Sequence, residues 1–361
     1  MSPEVIILQD QLRGGGTERQ SCLLARALIQ AGIPTQLQLR RSGGPLMETA
    51  RQELQASLRA PTMPPYLHEL QLLYSLSSRK ASAPRILIGM GRWGNSLLGL
   101  LPQRPHTHRI ATVRTSRPLP PLYRRAIRQA DKVIANSHWA LRYAFNSSGC
   151  QALAKGSVLH NGLSRPSLLH VDPTAKQAAR QQLQIATDSS VLLSVARLES
   201  GKGQADLLQA LARLRSHKCQ LILLGEGPRM EPLKKMCREL DLSQQVQFVG
   251  FTESTELYYA AADLFVSAST LDSLPNALIE AQAAGLPIVA YATAGVPEII
   301  DHNRNGYLIA PRQLTAFAEH IGQLIKNAAS RHTMGQAARR SAQKKFNSEQ
   351  QIQALIRQIL A

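Results

Sequence analysis

Short runs of β-branched and aliphatic residues alternate along the chain with stretches whose apolar positions recur at helical spacing, the pattern of βα units around a parallel sheet. The pattern occurs twice. It predicts strands over 5–8, 35–39, 86–88, 110–113, 133–135 and 158–160, then over 191–195, 221–224, 246–249, 264–267, 288–290 and 306–309, with helices between them. Between the two series, residues 163–190 carry Pro166, Pro173 and Asp188-Ser189-Ser190 around a helical stretch over 175–183. This segment sets a first domain at 1–168 and a second at 169–345, with a closing helix at 346–361 that packs back on the first. Leu314, Phe317, Ile321 and Leu324 make the chain helical from 312 onward, and Asn347-Ser348 offers a cap for the last helix. Doubly wound sheets bind ligands at the carboxyl ends of their strands, so the active site is expected to draw on both domains.

A chain of 361 residues exceeds one ordinary core and suits two domains. Hydrophobic residues make up 44% and charged residues 18%, with no apolar run of about eighteen residues, which argues against disorder and against a membrane-spanning helix. Cys22, Cys150, Cys219 and Cys237 lie far apart without metal spacing, and no charged-then-apolar leader precedes the first strand. A cytoplasmic setting is therefore expected, with no chemistry assigned to the thiols. The net charge of +18 is uneven: residues 1–170 hold 22 Lys plus Arg against 7 Asp plus Glu, and residues 171–361 hold 20 against 17. That bias fits a solubility device or an anionic partner. Aromatics are only 4% and no nucleic-acid motif is present, so stacking platforms are scarce and nucleic acid is not expected as the partner.

Candidate chemistry begins where the first strand runs through Gln9-Asp10 into Gly14-Gly15-Gly16, followed by Thr17-Glu18-Arg19-Gln20 at capping-box spacing. A glycine loop meeting a helix start suits a phosphate, although it is neither GxGxxG nor a Walker loop and also fits a structural turn. The second domain opens with Arg197 and Lys202 in the loop after its first strand; the pair suits a diphosphate bound without a metal, or two solvated loop charges. The next strand ends in Leu224-Gly225-Glu226-Gly227-Pro228 at the same sheet edge. After Ser267, Asp272 falls in a loop and Glu280 about one turn into a helix that begins near Pro275 or Asn276. Glu280 sits among Leu278, Ile279, Ala281 and Ala283, an apolar setting that argues against a solubility role.

Taken together these residues resemble the retaining glycosyltransferases of family 4, the group 1 glycosyl transferases, whose GT-B fold pairs two Rossmann-like domains across a cleft. The resemblance rests on Arg197-Leu198 with Lys202-Gly203, Leu224-Gly225-Glu226-Gly227-Pro228, Val249-Gly250-Phe251, the pair Asp272 and Glu280, Ala284-Gly285-Leu286-Pro287, Gly295-Val296-Pro297-Glu298 and His160-Asn161-Gly162. It implies transfer of a sugar from a nucleoside diphosphate donor, UDP in the first instance, to a lipid-linked or envelope glycan acceptor, as in bacterial polysaccharide or lipopolysaccharide synthesis. By similarity, Arg197 and Lys202 hold the diphosphate and stabilise the leaving group, and Glu280 holds the ribose. Asp272 and Glu226, with Leu274, Pro275, Asn276, Ala277 and Leu278, meet the donor, while Gly15 and Gly16 close over the phosphates. No DxD motif is present, so neither metal nor cofactor is expected. A nucleotide-sugar epimerase of the same fold is the alternative.

Two positions depart from the family. Asp272 stands where a Glu is usual, and Arg114 stands where many members place a first-domain His; Arg114 cannot accept a proton. His106 and His108 are near in sequence. The first domain is where such enzymes meet the acceptor, and Arg104, Arg109, Arg114, Arg117, Arg124, Arg125 and Arg128 are there interleaved with Leu119, Leu122, Tyr123 and Ile127, without an acid. This composition suits a segment lying on an anionic membrane, or a core helix with a solvated basic face. The first of these makes the protein peripheral on the inner face of the cell membrane.

Overall fold

The computed structural model describes residues 3–77, 84–214 and 217–360, whose strands form two sheets. The first contains β1 (Glu4–Gln9), β2 (Thr35–Leu39), β3 (Leu58–Arg59), β4 (Arg85–Gly89), β5 (Thr107–Val113), β6 (Lys132–Ala135) and β7 (Gly156–Val158) in the order β3-β2-β1-β4-β5-β6-β7. The second contains β8 (Ser190–Val195), β9 (Cys219–Leu224), β10 (Val246–Gly250), β11 (Leu264–Ser267), β12 (Ile288–Tyr291) and β13 (Gly306–Ile309) in the order β10-β9-β8-β11-β12-β13. All pairings between these strands are parallel.

Parallel strands covered on both faces read as continuous apolar runs, and β1 shows why. Val5 and Ile7 face one way, onto Leu24 and Leu28 of the helix Gly16–Gln30. Ile6 and Leu8 face the other, onto Leu97 and Leu98 of the helix Gly91–Leu100. In β8, Leu192 and the pair Val191 and Leu193 divide between two cores in the same way. Each sheet reverses its winding order at one place, between β1 and β4 in the first and between β8 and β11 in the second. Those are the switch points at which loops diverge and leave room for a ligand.

The chain forms two compact units, residues 1–162 with 348–361, and residues 163–347. The division falls six residues before the expected boundary because Leu163 already belongs to the second unit: its N–H donates to the Phe346 carbonyl at 2.8 Å, and Leu163, Leu168 and Phe346 share a core. The helix Pro173–Gln182, capped by Asp172 through the Ala175 N–H at 2.7 Å, is likewise part of that unit. The closing helix Ser348–Leu360 returns to the first unit, where Leu355, Ile356 and Ile359 join the core of Val5 and Ile7.

Local differences from the sequence expectations have local causes. β7 lies two residues earlier than expected, which leaves His160-Asn161-Gly162 in the loop after it. The two-residue edge strand β3 carries no periodicity to read. The capping box at Thr17 does not form: the helix starts at Gly16 with Gly15 as its cap residue, and Glu18 turns back over Gly15, where a Cβ would lie 2.5 Å from Oε2.

Candidate functional site

The second sheet brings together the loops that follow β8 and β11, neighbours across its switch point. Gly203, the cap of the helix Gln204–Ala212, has φ +76, and a Cβ there would stand 2.0 Å from the Ala268 carbonyl oxygen. Only glycine allows this approach. The Thr270 N–H also donates to the Gly201 carbonyl at 2.8 Å, closing one loop on the other. Lys202 Nζ consequently donates to Asp272 Oδ1 at 2.5 Å, and Ser269 Oγ donates to Asp272 Oδ2 at 2.7 Å. Both side chains are mostly buried, 15% and 22% exposed, so the attraction is screened less than at an open surface. The helix Asn276–Ala283 starts just beyond, directing its free N–H groups to the same sheet edge.

Arg197 is placed differently. Its carbonyl accepts from Gln204 Nε2 at 3.0 Å, while its guanidinium, 67% exposed, pairs with Glu199 at 2.7 Å. Glu226 ties three strand ends together: its carbonyl accepts from the Leu198 N–H at 2.8 Å and its carboxylate from the Phe251 N–H at 3.2 Å. Leu274 and Leu278 point into the core, leaving the backbone of 274–278 with the half-buried Pro275, Asn276 and Ala277 as the part of this segment able to meet a ligand.

Glu280 is buried, with Oε1 accepting from Ser164 Oγ at 2.6 Å and Oε2 from the Tyr259 hydroxyl at 3.0 Å. Burial, and then the charge of Glu280 and its hydrogen bond, hold the Tyr259 hydroxyl well above its usual pKa, which keeps it a donor. Ser164, Tyr259 and Ser269 thus orient the two predicted acids. Sequence reading missed them because each is an ordinary polar residue made significant only by tertiary contact.

In the first unit, Gly15 and Gly16 open the helix after β1, and Gly91, φ +64, opens the helix after β4, the strand across the switch point. The two helix starts adjoin, since a Cβ on Gly91 would lie 3.8 Å from Thr17 Cγ2. Arg114, after β5, donates to Asn161 Oδ1, and burial lowers its pKa to about 10, so it stays charged at neutral pH. His106 and His108 lie at the amino end of β5, away from these loops. His160, of the His160-Asn161-Gly162 motif, and His138, which the motifs did not include, follow β7 and β6 with ring centroids 6.4 Å apart.

The segment 104–128 takes in β5 and most of the helix Pro121–Gln129, and its apolar residues face inward. Leu119, Tyr123 and Ile127 are buried in the core of the first unit. Arg109 is buried too, donating to the Leu98 and Leu101 carbonyls that end the helix Gly91–Leu100. Arg114 is taken up by Asn161, and Arg128 donates to the Ser148 carbonyl at 2.9 Å, leaving Arg117 and Arg124 half-buried and Arg125 exposed. The helical part of the segment, Pro121–Gln129, packs its apolar side into the core and leaves Arg125 and Arg128 exposed. Among the described residues no helix is long and apolar enough to cross a membrane, and no three His, Cys, Asp or Glu side chains cluster as metal ligands.

Across nearly its whole length the chain superposes on the Anabaena protein HepE solved with UDP-glucose, with a TM-score of 0.83, 22% identity and 98% of each chain covered. The fold is that of the GT-B glycosyltransferases. Residues 175–341 match the model of the family described as glycosyl transferases group 1. Similar curated proteins include N-acetyl-alpha-D-glucosaminyl L-malate synthase of Bacillus anthracis, 28% identical over 47% of this chain, and the lipopolysaccharide core biosynthesis glycosyltransferase LpsE of Rhizobium meliloti, 29% identical over 47%. The matches span 45% and 49% of those relatives, about half their length.

Proposed function

We propose that the protein is a retaining glycosyltransferase that moves a sugar from a UDP-sugar to a lipid-linked or envelope glycan acceptor at the cytoplasmic face of the membrane, without a metal. The observation that carries this reading is the meeting of Lys202 and Asp272 at the switch point of the second sheet, in front of a helix start. A diphosphate arriving there replaces the Asp272 carboxylate as the partner of Lys202 and receives the exposed guanidinium of Arg197 in place of Glu199; two cations and helix N–H groups then offset the charge that develops on the leaving group. Glu280, held by Ser164 and Tyr259, presents a fixed acceptor to a ribose hydroxyl. UDP is the nucleotide in the similarly folded HepE, which favours uridine, and the excess of Lys and Arg in the first unit favours an anionic or membrane-borne acceptor.

The test is thermal stabilisation by UDP, GDP and ADP, with and without EDTA, on the wild type and on Lys202→Ala, since a ligand that binds only the folded state raises Tm. We expect UDP to stabilise the wild type equally with and without EDTA and to lose this effect in the variant. No shift with any nucleotide would overturn the reading, and a product still attached to its nucleotide would mark an epimerase.

A further inference from the structure

The helix Pro65–Ser77 of the first unit has apolar residues on two faces. Its inner face is fixed: Leu72 is buried with Leu73 and Leu76 packed beside it, and the buried His68 ring lies 3.0 Å from both the Leu39 carbonyl oxygen and Gln38 Nε2. Its outer face carries Tyr66, Leu67, Leu70 and Tyr74, exposed by 65%, 44%, 62% and 82%. Spacings of one, three and four residues put them in one stripe that runs about 12 Å along the axis. The other exposed large apolar side chains among the described residues, apart from the adjoining Met63, are far from this segment in sequence. A stripe of this kind is unusual on a soluble surface and marks a contact.

We propose that this stripe is where the first unit rests on an anionic bilayer, Tyr66 and Tyr74 lying at headgroup level and Leu67 and Leu70 reaching the acyl boundary. The inference rests on the proposed transfer to a membrane-borne acceptor. Charge argues for this occupant. The unit holds 22 Lys plus Arg against 8 Asp plus Glu. The one acid on the helix, Glu69, is paired with Arg40 and also accepts from the Trp93 indole at 2.9 Å, while Arg104 donates to the Ser77 carbonyl at the helix end. No unmatched acid of the helix opposes anionic lipid, and cations flank it. His68 bonds the last residue of β2, so the helix that carries the stripe packs at the carboxyl end of that strand, next to β1 and the loop of Gly15 and Gly16.

The test is sedimentation of the full chain with vesicles of phosphatidylcholine alone and of an equal mixture with phosphatidylglycerol, for the wild type, Leu70→Glu and the double variant Tyr66→Ser/Tyr74→Ser. The wild type should pellet with the mixture only, and each variant should partition about tenfold less. The UDP-induced Tm shift should be the same in all three, since these side chains touch no part of the nucleotide site. Variants that pellet like the wild type overturn the proposal. So does a wild type that ignores both vesicles, whether it runs as a monomer or as a dimer that Leu70→Glu breaks, the latter making the stripe a contact between copies. Vesicle binding without any nucleotide shift supports the membrane surface and removes the transferase reading alone.

Discussion

Lys202 and Asp272 illustrate how a binding residue is kept in place by a competitor. A Lys held only by solvent samples many rotamers, whereas the 2.5 Å ion pair, braced by Ser269, fixes its ammonium at the switch point. The same pair must open for a diphosphate to bind. Removing the acid therefore has opposite effects on binding and on chemistry: Asp272→Asn should tighten UDP by about three- to tenfold, on the order of 1 kcal/mol of released competition, while slowing sugar transfer. Isothermal titration of UDP gives the first quantity and a transfer assay the second. Weaker UDP binding in Asp272→Asn would show that the carboxylate assists the nucleotide. This site was legible in outline, since Arg197, Lys202, Asp272 and Glu280 stand in loops and helix starts that the periodicity locates. Their partners were not, because Ser164 reaches Glu280 across 116 positions and nothing local distinguishes it from any other serine.

At the scale of elements, the close approach of two loops decides whether the site exists. Gly203 is both the helix cap and the point of contact with Ala268, so its left-handed backbone and its missing Cβ serve one purpose. Gly203→Ala should cost about 2–4 kcal/mol, from backbone strain and from a clash that backbone atoms must move to relieve. It should also weaken UDP binding, because Lys202 is the preceding residue. Urea unfolding with UDP titration measures both, and a loss of under about 0.5 kcal/mol would mean that the loops separate freely. Strand positions were readable for the same reason that β1 is apolar from Val5 to Leu8: both faces are covered. In the basic segment 104–128 the spacing of Leu119, Tyr123 and Ile127 describes a buried stripe and a lipid-facing one equally well, and only the position of the core shows that these three side chains are buried. The outer face of Pro65–Ser77 escaped notice for a related reason: with apolar residues on both faces, the helix has no amphipathic signal.

For the whole molecule, the decisive feature is that the chain ends in the unit where it began. The twofold βα pattern predicts two sheets, and after strand periodicity stops at residue 309 the closing helix is expected to pack back on the first domain. The structure puts Ser348–Leu360 on the first unit, with Leu355, Ile356 and Ile359 in the β1 core. Its end is tied down as well: Lys132 Nζ donates to the Gln358 carbonyl at 2.6 Å and Ser157 Oγ to Gln358 Oε1 at 2.8 Å. Three buried aliphatic side chains contribute on the order of 2–5 kcal/mol each when truncated, comparable with the stability of an entire domain. Deleting residues 348–361 should therefore unfold or loosen the first unit while the second keeps its core. Hydrogen exchange followed by mass spectrometry separates the two: protection should fall in Glu4–Gln9 and Gly16–Gln30 and persist in Ser190–Val195 and Leu264–Ser267. Ile356→Ala/Ile359→Ala should give the same pattern in weaker form, which guards against a deletion that simply aggregates. Equal loss in both units would mean that the last helix stabilises the molecule as one cooperative body.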